Sequence, residues 1–501
     1  MTTARVHDFA ERNVSYRHLC GAVRGATDFV IVRGTLAEAF WLLVNRDVGP
    51  PRQNTPNPPQ RTMPDDLVRE IGTDDFEREV LASDKPVVLD FYSTECAPCE
   101  AVAPKFEALA RLYGDHVKFL KMFRQGNREL AERLNVRGSP TLVFFEAGKE
   151  AAERLTGAIR RAAIRTTLDG LVPAGVPEQI ARLEQPTSTE ADVLILGGGP
   201  AGLTAGIYAA QAKLRVIVVD AGLGGGNLSV THQISNFPGF PQPQPGFMLA
   251  HYMVEHAKAA GVEMRLAADV SDVDLNARSL VVDGLETIRA KKLIVATGSS
   301  PRPIGVKGER EYKGKGISYC ATCDAKYFEG KHAIVIGGGN SAIEEALFIA
   351  NFAAKITVVH QFAELQANQE AQSRAFANPK IEFVFEHEPR EFIHDGSTVS
   401  RVVVENLKTR ELRELSCDGV FIFAGMRPNL ELFEKRFELD SFGYVRVDED
   451  MHTSIPHVFA AGDIVSKRHR QMTTAVADGT IASIMVSREL AGSRSVSNIN
   501  P

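Results

Sequence analysis

Six cysteines are spread over 501 residues, and four of them form two pairs spaced Cys-x-x-Cys, Cys96/Cys99 and Cys320/Cys323. Thiols so spaced can close into a disulfide and reopen, and each cycle moves two electrons. The first pair lies in YSTECAPCE (92–100), with Pro98 between the cysteines, and the second in CATCD (320–324). A zinc site would require further ligands at fixed spacing; none accompany Cys320/Cys323, the thirteen histidines show no paired spacing, and no metal is expected. Cys20 and Cys417 stand alone and read as small apolar residues. The chemistry is therefore dithiol–disulfide exchange, and it requires a source of electrons.

The elements around the first pair are legible. VVLDF (87–91) is an apolar run of strand type, and Val102, Phe106, Leu109 and Tyr113 then recur at steps of 4, 3 and 4, one face of a helix. Cys96 thus falls at a helix N-terminus, where the dipole and unpaired N–H groups stabilise a thiolate. Cys99, one turn in, is more sheltered and suits a resolving role. Asp90, in mid-strand among apolar neighbours, is expected to have a raised pKa through desolvation and to shuttle a proton to Cys99. Pro140, in VRGSPTLVFF, precedes another strand, and a cis Ser139–Pro140 bond is expected.

An internal repeat supplies the electron source. DVLILGGGPAGLTAGIYAAQAKLRVIVVD (192–220) and AIVIGGGNSAIEEALFIANFAAKITVVH (333–360) each read strand, glycine turn, helix, strand, the βαβ unit that binds dinucleotides. Gly197, Gly199, Pro200, Ala201 and Gly202 form the first turn, and Gly337, Gly339, Asn340, Ser341 and Ala342 the second. Such turns bring backbone N–H groups to a pyrophosphate at a helix N-terminus. Asp220 ends the second strand of the first unit, where an acid accepts ribose hydroxyls; the same step in the second unit lands on His360.

The stretch from 66 to 175 resembles thioredoxin in Asp90, CAPC, Pro104, Lys121, SPT (139–141) and Gly157. The resemblance implies that Cys96 attacks a client disulfide, Cys99 resolves it and Pro140 shapes the groove. Departures are Glu95 before the first cysteine, Ala97 inside the pair and Glu100 after it, carboxylates expected to disfavour the thiolate and repel acidic partners. The C-terminal part resembles the low-molecular-weight thioredoxin reductases. Its motifs are GGGPAG (197–202), GGN (225–227), NFPGF (236–240), IVATGSSPRP (294–303), CATCD, VFAAGDI (458–464) and RQMTTAVADGTIA (470–482). The resemblance implies an FAD site that includes Gly226, Asn227, Asn236, Ala296, Thr297, Gly298, Gly462, Asp463, Arg470 and Gln471. It further implies that Cys323 faces the flavin, Cys320 faces the client and Asp324 protonates the leaving thiolate.

The fold class expected is α/β: a thioredoxin-fold domain followed by two Rossmann-like domains, FAD and NAD(P) type, of the disulfide reductase flavoproteins. The domains expected are an unassigned arm with a Pro-rich linker (1–65), a thioredoxin-like domain (66–175), a linker (176–190), a discontinuous FAD domain (191–305 and 432–501) and an NAD(P)-type domain (306–431) carrying CATC. A net charge of −6 gives no case for nucleic acid or anionic membrane. No apolar run approaches a spanning helix, the first twenty residues carry no signal-peptide core, and sparse cysteines in CxxC pairs point to a reducing cytoplasm; a homodimer is expected with the reductase resemblance. Electrons are expected to pass from FAD through Cys320–Cys323 to Cys96–Cys99 and on to client protein disulfides, a peroxiredoxin among the candidates. The NADPH-using thioredoxin reductases, which ITVVHQFAELQAN (356–368) resembles, carry HRR at the strand end and a further arginine four positions on; here stand His360, Gln361, Phe362 and Gln366. NADH is therefore favoured over NADPH, with a non-nicotinamide donor such as ferredoxin as an alternative. The flavoprotein of an alkyl hydroperoxide reductase is a second reading, ranked below because that family has two N-terminal thioredoxin folds in tandem.

Overall fold

Runs of β-branched residues, each followed by a helix, build three larger sheets in the computed structural model, which describes residues 67–496 except 95, 232, 397, 434 and 435. The arm and Pro-rich linker expected at 1–65, with Cys20, and the departure at Glu95 lie outside the described residues.

The first sheet is centred on Val87–Tyr92, parallel to Lys118–Phe123 and antiparallel to Thr141–Glu146. Val87, Val88, Leu89 and Phe91 are at most 1% exposed, because both faces of the sheet are covered. Helix Ala97–Tyr113 lays Val102, Phe106, Leu109 and Tyr113 on one face, while Phe76, Val80 and Leu130 fill the other. The Ser139–Pro140 bond is cis.

The expected linker at 176–190 is not a linker. Val176–Leu183 is a helix whose Val176 and Ile180 join the first domain's core, and Thr187–Glu190 already belong to strand Thr187–Leu196. Glu184 accepts from the guanidinium groups of Arg161 and Arg165, so the chain is held up to that residue. Thr187 N donates to Leu285 O on the other side. Only Gln185 and Pro186 connect the two fixed ends.

The second sheet has seven strands. Thr187–Leu196 is parallel to Val216–Val219 and to Glu286–Val295, and Val458–Ala460 returns from the end of the chain to pair with Glu286–Val295. The third is five parallel strands, with His332–Ile336 between Gly419–Ile422 and Lys355–His360. Between these two domains the chain passes out and back through a ribbon, Ser299–Pro301 against Met426–Pro428. Ile304 packs with the third sheet's core and Leu430 with the second's. The handover therefore lies at the ribbon, a few residues before the expected boundaries at 305/306 and 431/432. Among the described residues no apolar cluster holds residues of more than one domain, so each domain has a core of its own. Among the described residues no helix is long and apolar enough to cross a membrane.

The Arg161–Glu184 pair is buried on both sides, with side chains 8% and 9% exposed. Removing one partner leaves an uncompensated buried charge, so Glu184→Ala is expected to cost the first domain about 3 kcal/mol. Hydrogen exchange of the Val87–Tyr92 amides measures it; unchanged protection would contradict the packing described.

Candidate functional site

Each cysteine pair opens a helix. Cys96 is the N-cap of Ala97–Tyr113 and Cys320 the N-cap of the short helix Ala321–Asp324. In both, the first sulfur accepts the backbone N–H of the second cysteine at 3.2 Å, and both pairs are closed disulfides with Cα atoms 5.2 and 5.4 Å apart. Cys99 is 7% exposed whereas Cys96 is half-buried, 3.7 Å from the Ser139 carbonyl oxygen beside Pro140. Asp90 is 6% exposed, and its Oδ1 has no hydrogen-bond partner. Burial pushes its carboxyl up to about 7, opposed only in part by the charge of Lys121. Glu100, expected to burden the pair with negative charge, lies 2.7 Å from Lys258 Nζ, an ammonium that it shares with Glu255 at 2.8 Å.

Backbone approach fixes the first glycine turn. Gly197 has φ +110°, and a Cβ there would lie 2.2 Å from Ala296 O; at Gly202 it would lie 1.9 Å from Gly197 O. Helix Pro200–Gln211 starts from this turn with Ala201 packed in the core. Asp220 accepts N–H from Gly198 and from Gly222. Thr297 and Gly298 are locked to Asn429, whose side chain donates to Thr297 O and whose N–H donates to Gly298 O. Asn227 Nδ2 donates to Ser299 O, next to the turn at Gly226. Asn236 and Gln471 meet through their amides at 3.2 Å, just before helix Met472–Val496. Arg470 is occupied by its own chain, stacked 3.6 Å over the Tyr444 ring and donating to the carbonyl of Val465.

The fit to FAD is tested by Asp463. Its Oδ1 is buried with no hydrogen-bond partner, Lys467 being 3.7 Å away, and burial pushes its pKa up. Gly462 beside it donates to Asp478, which Lys467 also contacts at 2.7 Å. A buried acceptor with a spare lone pair, set against the turn at Ala201, is what a polyhydroxylated ligand would satisfy. The residues fit FAD: Asp220 would meet the adenosine ribose and Asp463 the hydroxylated chain towards the flavin.

The second turn repeats the geometry: Gly337 has φ +132°, and a Cβ there would meet Phe423 O at 2.4 Å. Gly339 leaves open space, Ser341 is exposed, and Asn340 Oδ1 accepts the Asn368 N–H at 2.7 Å. Ala342 is spent on packing, as Ala342 and Ala346 hold the CATC helix through Ala321 and Ala325. The imidazole of His360 lies directly on Gly338, 2.5 Å from where a Cβ would stand, with Nε2 3.1 Å from Glu364 O. Burial lowers its pKa, which keeps it neutral. Gln361, Phe362 and Gln366 are exposed.

The sequence reading missed Asn429, Asp478 and Glu345. Glu345 has its Oε2 buried without a partner, and burial, with Glu344 adjacent, pushes it to about 7. A carboxylate within the apolar run of IEEALFIA was the available signal; Asn429 and Asp478 act through contacts distant in sequence and gave none.

Two outcomes are expected. Gly202→Ala is expected to abolish flavin retention, read as loss of the yellow absorbance on purification, because its Cβ would collide with backbone. For Asp90 the raised pKa means that the folded state holds a proton between the ordinary carboxylate range, about 4, and about 7. The associated stability is present at low pH and is lost as pH rises through that window. Asp90→Asn is expected to be more stable than wild type near pH 8, by up to about 4 kcal/mol, with no difference near pH 4. Denaturant titration at the two pH values checks it.

Comparison with known proteins agrees with this geometry. Residues 191–479 match the profile of the pyridine nucleotide-disulphide oxidoreductases, and residues 67–170 that of thioredoxin. A thioredoxin reductase of Peptoclostridium acidaminophilum is 42% identical over 298 residues, 58% of this chain and 94% of the relative. A 34.2 kDa protein in the rubredoxin operon of Clostridium pasteurianum is 40% identical over 302 residues, 60% of this chain and 97% of its own. The crystal structure of Lactococcus lactis thioredoxin reductase matches with a TM-score of 0.58 at 35% identity, covering 60% of this chain and 99% of that one. The chain belongs to the pyridine nucleotide-disulphide oxidoreductase family, among its thioredoxin reductases, and carries a thioredoxin domain ahead of the reductase.

Proposed function

We propose that the chain is a thioredoxin reductase and its thioredoxin in one molecule, passing electrons from a reduced donor to Cys320–Cys323, then to Cys96–Cys99 and on to client disulfides. The supporting observation is the twin construction of the two pairs, each capping a helix and each with its second N–H on the first sulfur, in a chain whose glycine turn and buried Asp463 fit FAD. Bound there, FAD supplies the two-electron store that opens Cys320–Cys323. The Cys320 thiolate attacks Cys96, forming a mixed disulfide and releasing Cys99 as a thiolate. Cys323 then displaces Cys96, so two electrons have moved from pair to pair. Asp90, poised near neutrality, holds the proton that Cys99 takes up. Asp324, next in sequence to Cys323, is the proton donor assigned to Cys320–Cys323.

For the donor we rank NADH first, a non-nicotinamide reductant such as ferredoxin second and NADPH third. The neutral His360 and the uncharged side chains at 361, 362 and 366 offer no cation for a 2′-phosphate. Losing two charge-assisted pairs costs on the order of 3 kcal/mol, over a hundredfold in affinity. The further parts of the reading are a homodimer in a reducing cytoplasm whose clients include a peroxiredoxin.

Cys323→Ser is expected to keep its flavin yet leave Cys96–Cys99 oxidised after donor is added, as read by thiol alkylation. Normal appearance of both thiols would sink the relay. Stopped-flow flavin bleaching by each nucleotide tests the donor: a kcat/KM for NADPH at or above that for NADH overturns the ranking, and bleaching by ferredoxin alone promotes the second choice.

A further inference from the structure

The thioredoxin domain is docked on the FAD domain, and the dock is polar. Lys105, on the helix that Cys96 caps, is 9% exposed. Its Nζ donates to the carbonyls of Leu266, at 2.9 Å, and Ala267 on the FAD domain, and to Ile159 O, at 3.4 Å, on its own. Two ion pairs flank it: Glu100 with Lys258 at 2.7 Å and Arg160 with Asp269 at 3.0 Å. Among the described residues no apolar cluster spans the two domains, so the contact rests on these hydrogen bonds and charges without a shared core, and such contacts separate readily. The socket is shaped for the ammonium group: Ala267 is fully buried with φ +49°, a conformation rare for alanine that turns its carbonyl to Lys105 alongside that of Leu266.

Its location matters. Ala267 N donates to Gly222 O and Ala268 N to Asp220 O, so the socket is the back of the turn whose Asp220 serves the adenosine ribose. By the resemblance to the thioredoxin reductases, the flavin ring and the dithiol that serves it would lie towards the other end of the cleft, where Asn236 meets Gln471 ahead of helix Met472–Val496. The thioredoxin domain is therefore docked at the adenosine end. The joint is short as well: with the chain fixed at Glu184 and at Thr187, two residues permit pivoting but a reach of only about 10 Å.

We propose that this contact is a latch that parks the thioredoxin domain away from Cys320–Cys323, and that the domain must leave the Lys105 socket and pivot about Gln185–Pro186 before each exchange. The inference rests on the relay reading above. The step it gates is balanced: the Cys320/Cys323 dithiol gives two electrons and two protons to the Cys96–Cys99 disulfide and itself becomes a disulfide.

The test uses FAD-loaded full-length protein, photoreduced so that no donor need be known, with the four cysteines followed over time by alkylation and mass spectrometry. Lys105→Met and Lys258→Glu weaken the latch from opposite sides. A third form, Arg160→Cys with Asp269→Cys in a Cys20→Ser background, is closed by a bismaleimide while both native pairs are oxidised, Cys417 being buried. Cys320 and Cys323 are expected to be reduced at one rate in all forms. Cys96 and Cys99 are expected to appear about tenfold faster in the two single variants than in wild type at low salt, and not at all in the cross-linked form. Equal or slower transfer in the single variants, or wild-type transfer in the cross-linked form, overturns the latch. If Cys96–Cys99 stays oxidised in every form while Cys320–Cys323 opens, the relay reading falls and the latch with it.

Discussion

A disulfide that must open and close at a helix start constrains everything around it. The first sulfur has to accept the second cysteine's N–H, which places both atoms in the first turn and leaves one sulfur facing outward. The chain meets this condition twice, on unrelated local scaffolds: a helix of seventeen residues with five core side chains, and a helix of four residues whose Ala321 shares an apolar cluster with alanines of its neighbour. The long helix can serve a domain that travels, because its own core supports it. The short one borrows its rigidity from helix Asn340–Ile349 and belongs with the body that holds the glycine turn.

The glycine turns obey a second constraint, close approach of backbone to backbone. At Gly197 and Gly337 the preceding strand passes a carbonyl of another strand too closely for any side chain. What distinguishes the two turns is the residue at the next strand's end. Asp220 spends its carboxylate on two N–H groups of its own turn, whereas His360 lays a neutral ring over Gly338. The same fold thus ends one unit on a carboxylate and the other on an uncharged ring.

Much of this was legible in the sequence where the cause is local. The spacing of Val102, Phe106, Leu109 and Tyr113 placed the helix behind Cys96, and the burial of VVLDF implied the raised pKa of Asp90. What was hidden depends on partners far along the chain. EQPTSTE (184–190) reads as a polar linker, but Thr187–Glu190 extend a strand because Glu286–Arg289 lie alongside. VPEQIARL hides an amphipathic turn whose Ile180 is meaningful only against a core already formed. Lys105 looks like an ordinary solvated lysine until Leu266 and Ala267 turn their carbonyls towards it. Glu100 likewise finds in Lys258 a counter-charge that its own stretch of sequence does not contain.

The two-residue joint at Gln185–Pro186 has a kinetic consequence. Exchange between partners on one rigid pivot is first order, so diluting the protein leaves its rate unchanged, whereas separate partners slow in proportion. The attached domain also occupies the reductase ahead of any thioredoxin free in solution, which must find an open dithiol that its tethered rival reaches by rotation. Built this way, the molecule directs its electrons to one recipient through connectivity, with no need for a tight binding surface between the two.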